Sequence, residues 1–386
     1  MSGPIPILEK LVSFETVSSN SNLEMIDYVE AFLKERDFQV SRFPDSTGMK
    51  AGLYAQKGEG EEGILLSGHT DVVPVEDQDW TRNPFVLTPE GDRLYGRGTT
   101  DMKGFIACML DLADKVADLE LNEPLKIVLS YDEEIGCFGI QEMLEDLAPM
   151  LGQPRVCIVG EPTEMKIALG HKGKSSLSAV CIGQSGHSGL APQFVNALHI
   201  ATDFVLRLRN IQAQYTATGG RDNAYRVPYS TIHVGMINSG CAVNMVPDKA
   251  ELLFEYRHLP INKSSELIAK IKEAAQKLED IYQLRWAGAK ILIHQKSSYP
   301  GFEVEPLDGV VEFAMKLAGS TATTKVSFGT EAGFFQELGI PTVVCGPGNM
   351  EKQGHQPDEY ITLGEIYKCE AMMNRVLDEL TNFSEV

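Results

Sequence analysis

Through about residue 172, short all-apolar runs alternate with stretches whose apolar residues recur every three or four positions. NLEMIDYVEAFLKERD has helical spacing, and GILLSG after it reads as a buried strand. GFIACMLDLADKVAD places Ile106, Met109, Leu110, Ala113 and Val116 on one helical face, PLKIVLSY is a strand, IQEMLEDLAPML a helix and RVCIVG a further strand. Short apolar strands separated by helices predict a sheet covered on both faces. The texture then changes. KSSLSAVCIG, YSTIHVGMI and KAELLFEYRHL show period-2 alternation and surround the helical segments NALHIATDFVLRLRNIQ and SSELIAKIKEAAQKLEDIY. That is an α+β pattern, with one antiparallel sheet and helices on one side. Helix LDGVVEFAMKLAG and strand IPTVVCGPG restore the first texture near residue 298. The expected fold class is therefore α/β: a doubly wound, mixed-sheet domain over residues 1–172 and 298–386, interrupted by an inserted α+β domain over 173–297.

Composition narrows the classes. A chain of 386 residues, 43% hydrophobic, can bury one large core or two ordinary ones. No apolar run reaches the roughly 18 residues of a membrane helix, and MSGPIPILEKLVSF lacks a signal peptide's basic start and long apolar core. The formal charge of −20 argues against nucleic acid and anionic membranes as partners and favours cationic ligands. Seven cysteines, none in a C-x-x-C pair and most in apolar runs, read as reduced core residues, which fits a cytoplasmic location.

Four strand-like runs end in a potential metal ligand or base. ILLSG leads to His69 and Asp71, KIVLSY to Asp132, Glu133 and Glu134, RVCIVG to Glu161, and TVVCGPG through a short loop to His355. Asp101, ahead of the Phe105 helix, is a fifth candidate in the same zone. In open α/β sheets ligands bind beyond the carboxyl ends of the strands. Taken singly, Asp101 reads as an N-cap, the Glu133–Glu134 pair as a solvated helix start, and each histidine as a loop or core residue. Together they would repel one another unless a cation were present, and a divalent metal pair suits mixed imidazole and carboxylate donors. Residues i and i+2 of a strand point the same way, so Asp71 is placed to orient His69.

With SGHTDVVP, GRGTTDMKG, DEEIGCFG, GEPT, GHKG, GQSGHSG, NMVPDKAEL, FEYRHLP and GPGNMEKQGHQPDEY in this order, nearly the whole chain resembles the M20 family of metallohydrolases. The resemblance implies two zinc ions per subunit, with Co2+ or Mn2+ as substitutes. His69 and Glu161 would serve one ion, Glu134 and His355 the other, with Asp101 bridging and Glu133 as general base. It further implies a cis peptide at Asp101–Met102 and an inserted domain acting as lid and dimerisation domain of a homodimer. His187 would reach the partner's site to stabilise an oxyanion, while Asn244 and Arg257 would hold a substrate carboxylate. Arg257 follows the apolar strand ELLFEY, where its guanidinium can take a carboxylate in bidentate fashion.

The implied activity is hydrolysis of the amide of a small N-acyl amino acid. N2-acetyl-L-ornithine, an arginine-biosynthesis intermediate, is the nearest substrate; acetylcitrulline, succinyl-diaminopimelate and dipeptides are the alternatives. From another class, the chain could be a catalytically silent binding protein on the same fold, against which the intact Glu133 and ligand set argue. The glycines of YGRGTTDMKG lack the G-x-G-x-x-G and G-x-x-x-x-G-K-[ST] spacing of a phosphate cradle, and the chain has no G-x-S-x-G, so phosphate-cradle and serine-hydrolase readings fail.

Overall fold

The computed structural model describes residues 3–381. Within them the chain forms two compact units, one built from residues 3–170, 302–326 and 330–381, the other from His171–Gly301 and Ser327–Gly329.

The first unit is organised by a nine-stranded mixed sheet. Its centre is four neighbouring parallel strands, in the order Leu125–Ser130, Ile64–His69, Val156–Pro162 and Thr342–Gly346. All four are buried along their whole length, which is why their sequences read as continuous apolar runs. Ala51–Lys57 flanks them antiparallel on one side, with Gln39–Pro44 paired antiparallel beyond it, and Ile167–His171 flanks them antiparallel on the other. The first two were not expected from sequence, because QVSRFP and AGLYAQK lack a clean period-2 pattern.

The one-face reading of the helix after Asp101 needs correction. Every residue of Lys103–Lys115 up to Ala113 is buried, Lys103 and Asp111 included. The helix packs on helices Pro4–Val12 and Leu363–Thr381 as well as on the strands Ile64–His69 and Val156–Pro162, so no face is left for solvent. Contact with the sheet is close: a Cβ added at Gly160 would fall on the ring of Phe105. Only glycine leaves room for that aromatic ring directly before Glu161.

The second unit is a four-stranded antiparallel sheet, ordered Thr231–Ser239, Lys249–His258, Gly173–Ile182 and Lys290–Tyr299. Helices Ala197–Thr218 and Ser264–Gln283 pack on it through Phe204, Leu208, Leu267, Ile271 and Leu278, which form its own core with Leu177, Leu252 and Phe254. The buried–exposed alternation along Lys249–His258 is the period-2 signal seen in KAELLFEYRH. The strand Lys290–Tyr299 went unseen because its alternation fades into exposed polar residues after His294. All seven cysteines are free, and all but Cys241 are buried. No helix of the described residues is long and apolar enough to cross a membrane.

Candidate metal centre

The four central strands run in one direction and so release their following residues at one edge of the sheet. His69 ends one strand, Glu161 lies on the next, Glu133 and Glu134 follow Ser130, and His355 lies on the loop after Gly346. Asp101 stands before the Lys103 helix, joined to Met102 by a cis peptide bond. These residues converge. Asp101 faces both ways: its Oδ1 is 3.0 Å from His69 Nε2 and its Oδ2 3.1 Å from His355 Nε2. Glu161 completes the first side, 3.8 Å from His69 Nε2, and Glu134 the second, 3.1 Å from His355 Nε2. The donor atoms of His69, Asp101 and Glu134 lie within 4.8 Å of one another, as do those of His69, Glu133 and Glu161.

Asp71 meets His69 through its backbone as well as its side chain. The closest acceptor to His69 Nδ1 is the Asp71 backbone carbonyl at 3.0 Å, with the carboxylate 3.5 Å away. That carboxylate receives Ser18 Oγ at 2.7 Å and the backbone N–H groups of Glu133 and Glu134 at 3.1 and 3.3 Å. Asp71 therefore pins the turn that carries the two glutamates while its carbonyl fixes the imidazole. Asp132 pairs with Lys50.

His69, Asp101 and Glu161 are almost fully buried, whereas the His355 side chain is 44% exposed and forms the open side. Electrostatics follow from burying five carboxylates with two imidazoles. Burial, joined by the Asp101 charge, pushes Glu134 up to about 7; burial with neighbouring carboxylates pushes Glu133 and Glu161 well above the usual range. Burial alone would depress His355, but hydrogen bonds to Asp101 and Glu134 carry it up to about 10. Asp101 goes the other way: burial opposes ionisation, yet the two imidazoles hold it well below the carboxylate range. Two imidazolium groups cannot neutralise five acids. The excess of hard oxygen donors, with one carboxylate opening to both sides, fits a pair of divalent cations.

His187, Asn244 and Arg257 belong to the second unit. Its structure brings the first two together: strands Gly186–His187 and Met245–Val246 pair, and Ser188 N donates to the Asn244 carbonyl at 3.0 Å. Both side chains are exposed, and His187 Nδ1 accepts from Gly189 N at 3.0 Å. Arg257, on Lys249–His258, donates from Nε to Glu255 Oε1 at 2.9 Å.

Sequence reading missed several buried polar groups around the cluster. Glu359 and Arg97 are each 1% exposed and form an ion pair of 2.7 Å. Lys103 is fully buried and donates to the Phe14 carbonyl at 2.8 Å; burial draws its ammonium down to about 7. Glu331, in GTEAG, is 1% exposed, and burial pushes it up to about 7. The available signal was charged residues inside glycine-rich or apolar stretches, where solvation is poor.

A mixed α/β sheet with an α+β insertion, and acids and imidazoles converging at its carboxyl edge, define the class: a metallohydrolase fold and site. The chain belongs to peptidase family M20/M25/M40, whose model matches residues 65–379. It is 35% identical to the acetylornithine deacetylase of Salmonella arizonae over 97% of this chain and 96% of that one. The fold matches the M20 family metallo-carboxypeptidase Sso-CP2 of Sulfolobus solfataricus, with a TM-score of 0.79 at 22% identity over 99% of both chains. It also matches the Bacillus subtilis YXEP protein, described as a dinuclear metal-binding M20 peptidase, with a TM-score of 0.66 at 16% identity over 97% of this chain and 96% of that one.

Proposed function

We propose that the chain removes the acyl group from a small N-acyl amino acid, with N2-acetyl-L-ornithine as substrate and ornithine and acetate as products. The observation that carries this reading is the two-sided Asp101, one oxygen toward His69 and the other toward His355. His69 and Glu161 would hold one divalent ion, Glu134 and His355 the second, and Asp101 would span both; zinc suits these donors, and Co2+ or Mn2+ would substitute. When bound, such a pair supplies a water of lowered pKa and polarises the scissile carbonyl.

The remaining chemistry belongs to side chains. Glu133 takes the proton of the attacking water on its carboxylate and returns it to the departing α-amine nitrogen. Its raised pKa keeps it basic enough for the first task and acidic enough for the second. Arg257 and Asn244 hold the substrate carboxylate, and His187 donates to the developing oxyanion.

The inserted unit supports a homodimer. Its edge strand Thr231–Ser239 exposes Met236 and Ile237, 52% and 43% accessible, beside Leu253 on the neighbouring strand. In this assembly His187 would complete the partner's site. The net charge of −20 gives no support to nucleic acid or anionic membranes as partners, and a biosynthetic role fits a cytoplasmic location.

Initial rates on N2-acetyl-L-ornithine, N-acetyl-L-citrulline, N-succinyl-diaminopimelate and a dipeptide test the reading. The highest kcat/KM is expected on N2-acetyl-L-ornithine, with loss on chelation and return on adding Zn2+. Preference for the dipeptide would refute the substrate class.

A further inference from the structure

The two groups that make the centre two-sided, Asp101 and His355, lie 254 positions apart in the chain, and their backbones are tied by one buried ion pair. Glu359 Oε1 accepts the backbone N–H of Thr100 at 2.9 Å and of Asp101 at 3.2 Å. Its Oε2 takes Arg97 Nη1 at 2.7 Å. Arg97 then reaches the His355 loop: Nη1 donates to the Gln356 carbonyl at 3.4 Å, and Nη2 donates to Gln78 Oε1. Gln78 Nε2 in turn donates to the carbonyl of His355 itself at 3.2 Å. Arg97 Nη2 also donates to the Pro74 carbonyl at 3.2 Å, in the loop that follows His69 and Asp71. One guanidinium and one carboxylate thus contact the backbone on three ligand-bearing segments.

These contacts have work to do. His355 has φ 57° and Asp358 φ 55°, a left-handed conformation that a non-glycine residue holds only where the surroundings impose it. Glu359 is outside the donor groups that gather within 4.8 Å of one another, and both it and Arg97 are almost fully buried, so solvent cannot replace either partner.

We infer that Glu359, held by Arg97, is a positioning residue that sets Asp101 and the His355 loop at the separation a metal pair requires. The inference rests on the two-metal reading. It assigns the pair's effect to metal affinity, since a loop free to drift by an ångström weakens the second ion more than it weakens the fold. Outer-shell changes of this kind typically lower metal affinity about 10–100-fold.

The test compares wild type with Glu359→Gln and Arg97→Lys, each checked for native circular dichroism, by Zn2+ titration of chelator-stripped protein against a chromogenic competitor. Glutamine keeps one carbonyl for the Thr100 and Asp101 N–H groups but loses the charge; lysine keeps charge but not the fork. Both variants are expected to lose affinity at one of two zinc ions by tenfold or more. The melting temperature of the stripped protein should change little, and excess Zn2+ should restore turnover without a change in KM. Should either variant fail to fold, the other carries the measurement, and Gln78→Ala, which removes the link to the His355 carbonyl together with the acceptor for Arg97 Nη2 and the Trp80 indole N–H but leaves the Arg97–Glu359 pair, supplies a milder case with a smaller loss. Wild-type zinc affinity in all the folded variants would overturn the inference. A wild-type chain that takes up no zinc would instead overturn the two-metal reading beneath it.

Discussion

Glu133 and His355 have opposite expected fates on substitution. Glu133→Ala should retain metal and lose about 10²–10⁴-fold in kcat, the usual contribution of a positioned general base. His355→Ala should lose bound metal, read by elemental analysis of purified protein. A Glu133→Ala variant that turned over normally would remove it as the base. Titration at the centre gives a second residue-scale expectation. Glu134 and Glu331 have folded pKa values near 7 against about 4.5 unfolded. Between these values the folded, metal-free protein holds more protons than the unfolded chain, so stability falls as pH rises from 4.5 through 7. Metal binding requires deprotonated ligands and releases those protons. The gap in melting temperature between zinc-loaded and stripped protein should therefore widen from pH 5.5 to 7.5; a constant gap would contradict the burial of these acids.

At the scale of elements, the strand Val156–Pro162 and the helix Lys103–Lys115 depend on Gly160. Gly160→Ala puts a methyl group into the Phe105 ring, and overpacking of this kind costs about 1–3 kcal/mol. Because Glu161 is the next residue, the strand's displacement should lower zinc occupancy as well as melting temperature. Phe105→Leu in the same chain should recover part of both, and no recovery would point away from steric contact. In the second unit a buried histidine gives the opposite pH response. Burial holds His171 at about 4, against roughly 6.5 when unfolded. The unfolded chain binds the extra proton between these values, so stability is present above pH 6.5 and is lost as pH falls toward 4, by an amount on the order of 3 kcal/mol. Glu134 and Glu331 act oppositely over the same window, so the contribution is read as a difference: on going from pH 7 to 4.5, wild type should lose more stability to urea, or gain less, than His171→Gln.

For the whole molecule the open expectation is assembly. Met236→Asp with Leu253→Asp should convert a dimer to monomer by light scattering while leaving the metal centre's zinc content unchanged. If His187 serves the partner's site, mixing inactive Glu133→Ala and His187→Ala chains should restore activity in exchanged dimers. Equal inactivity before and after exchange would refute a role across the interface.

Much of the first unit was legible because its signals are local. Apolar runs such as ILLSG and RVCIVG declare buried strands, and their ends carried His69, Glu133, Glu134 and Glu161. The chain of residue types thus determined the α/β class, the α+β texture of the insertion and the set of acids and imidazoles held at strand ends. Only the tertiary structure decided the order of the four parallel strands, and hence which donors meet. It alone turned Asp71's carbonyl as well as its carboxylate toward His69, and joined Arg97 to Glu359 across 262 positions. Periodicity reports what one segment prefers; partner atoms are fixed by strand pairing, backbone torsion and side-chain packing, which no single segment contains.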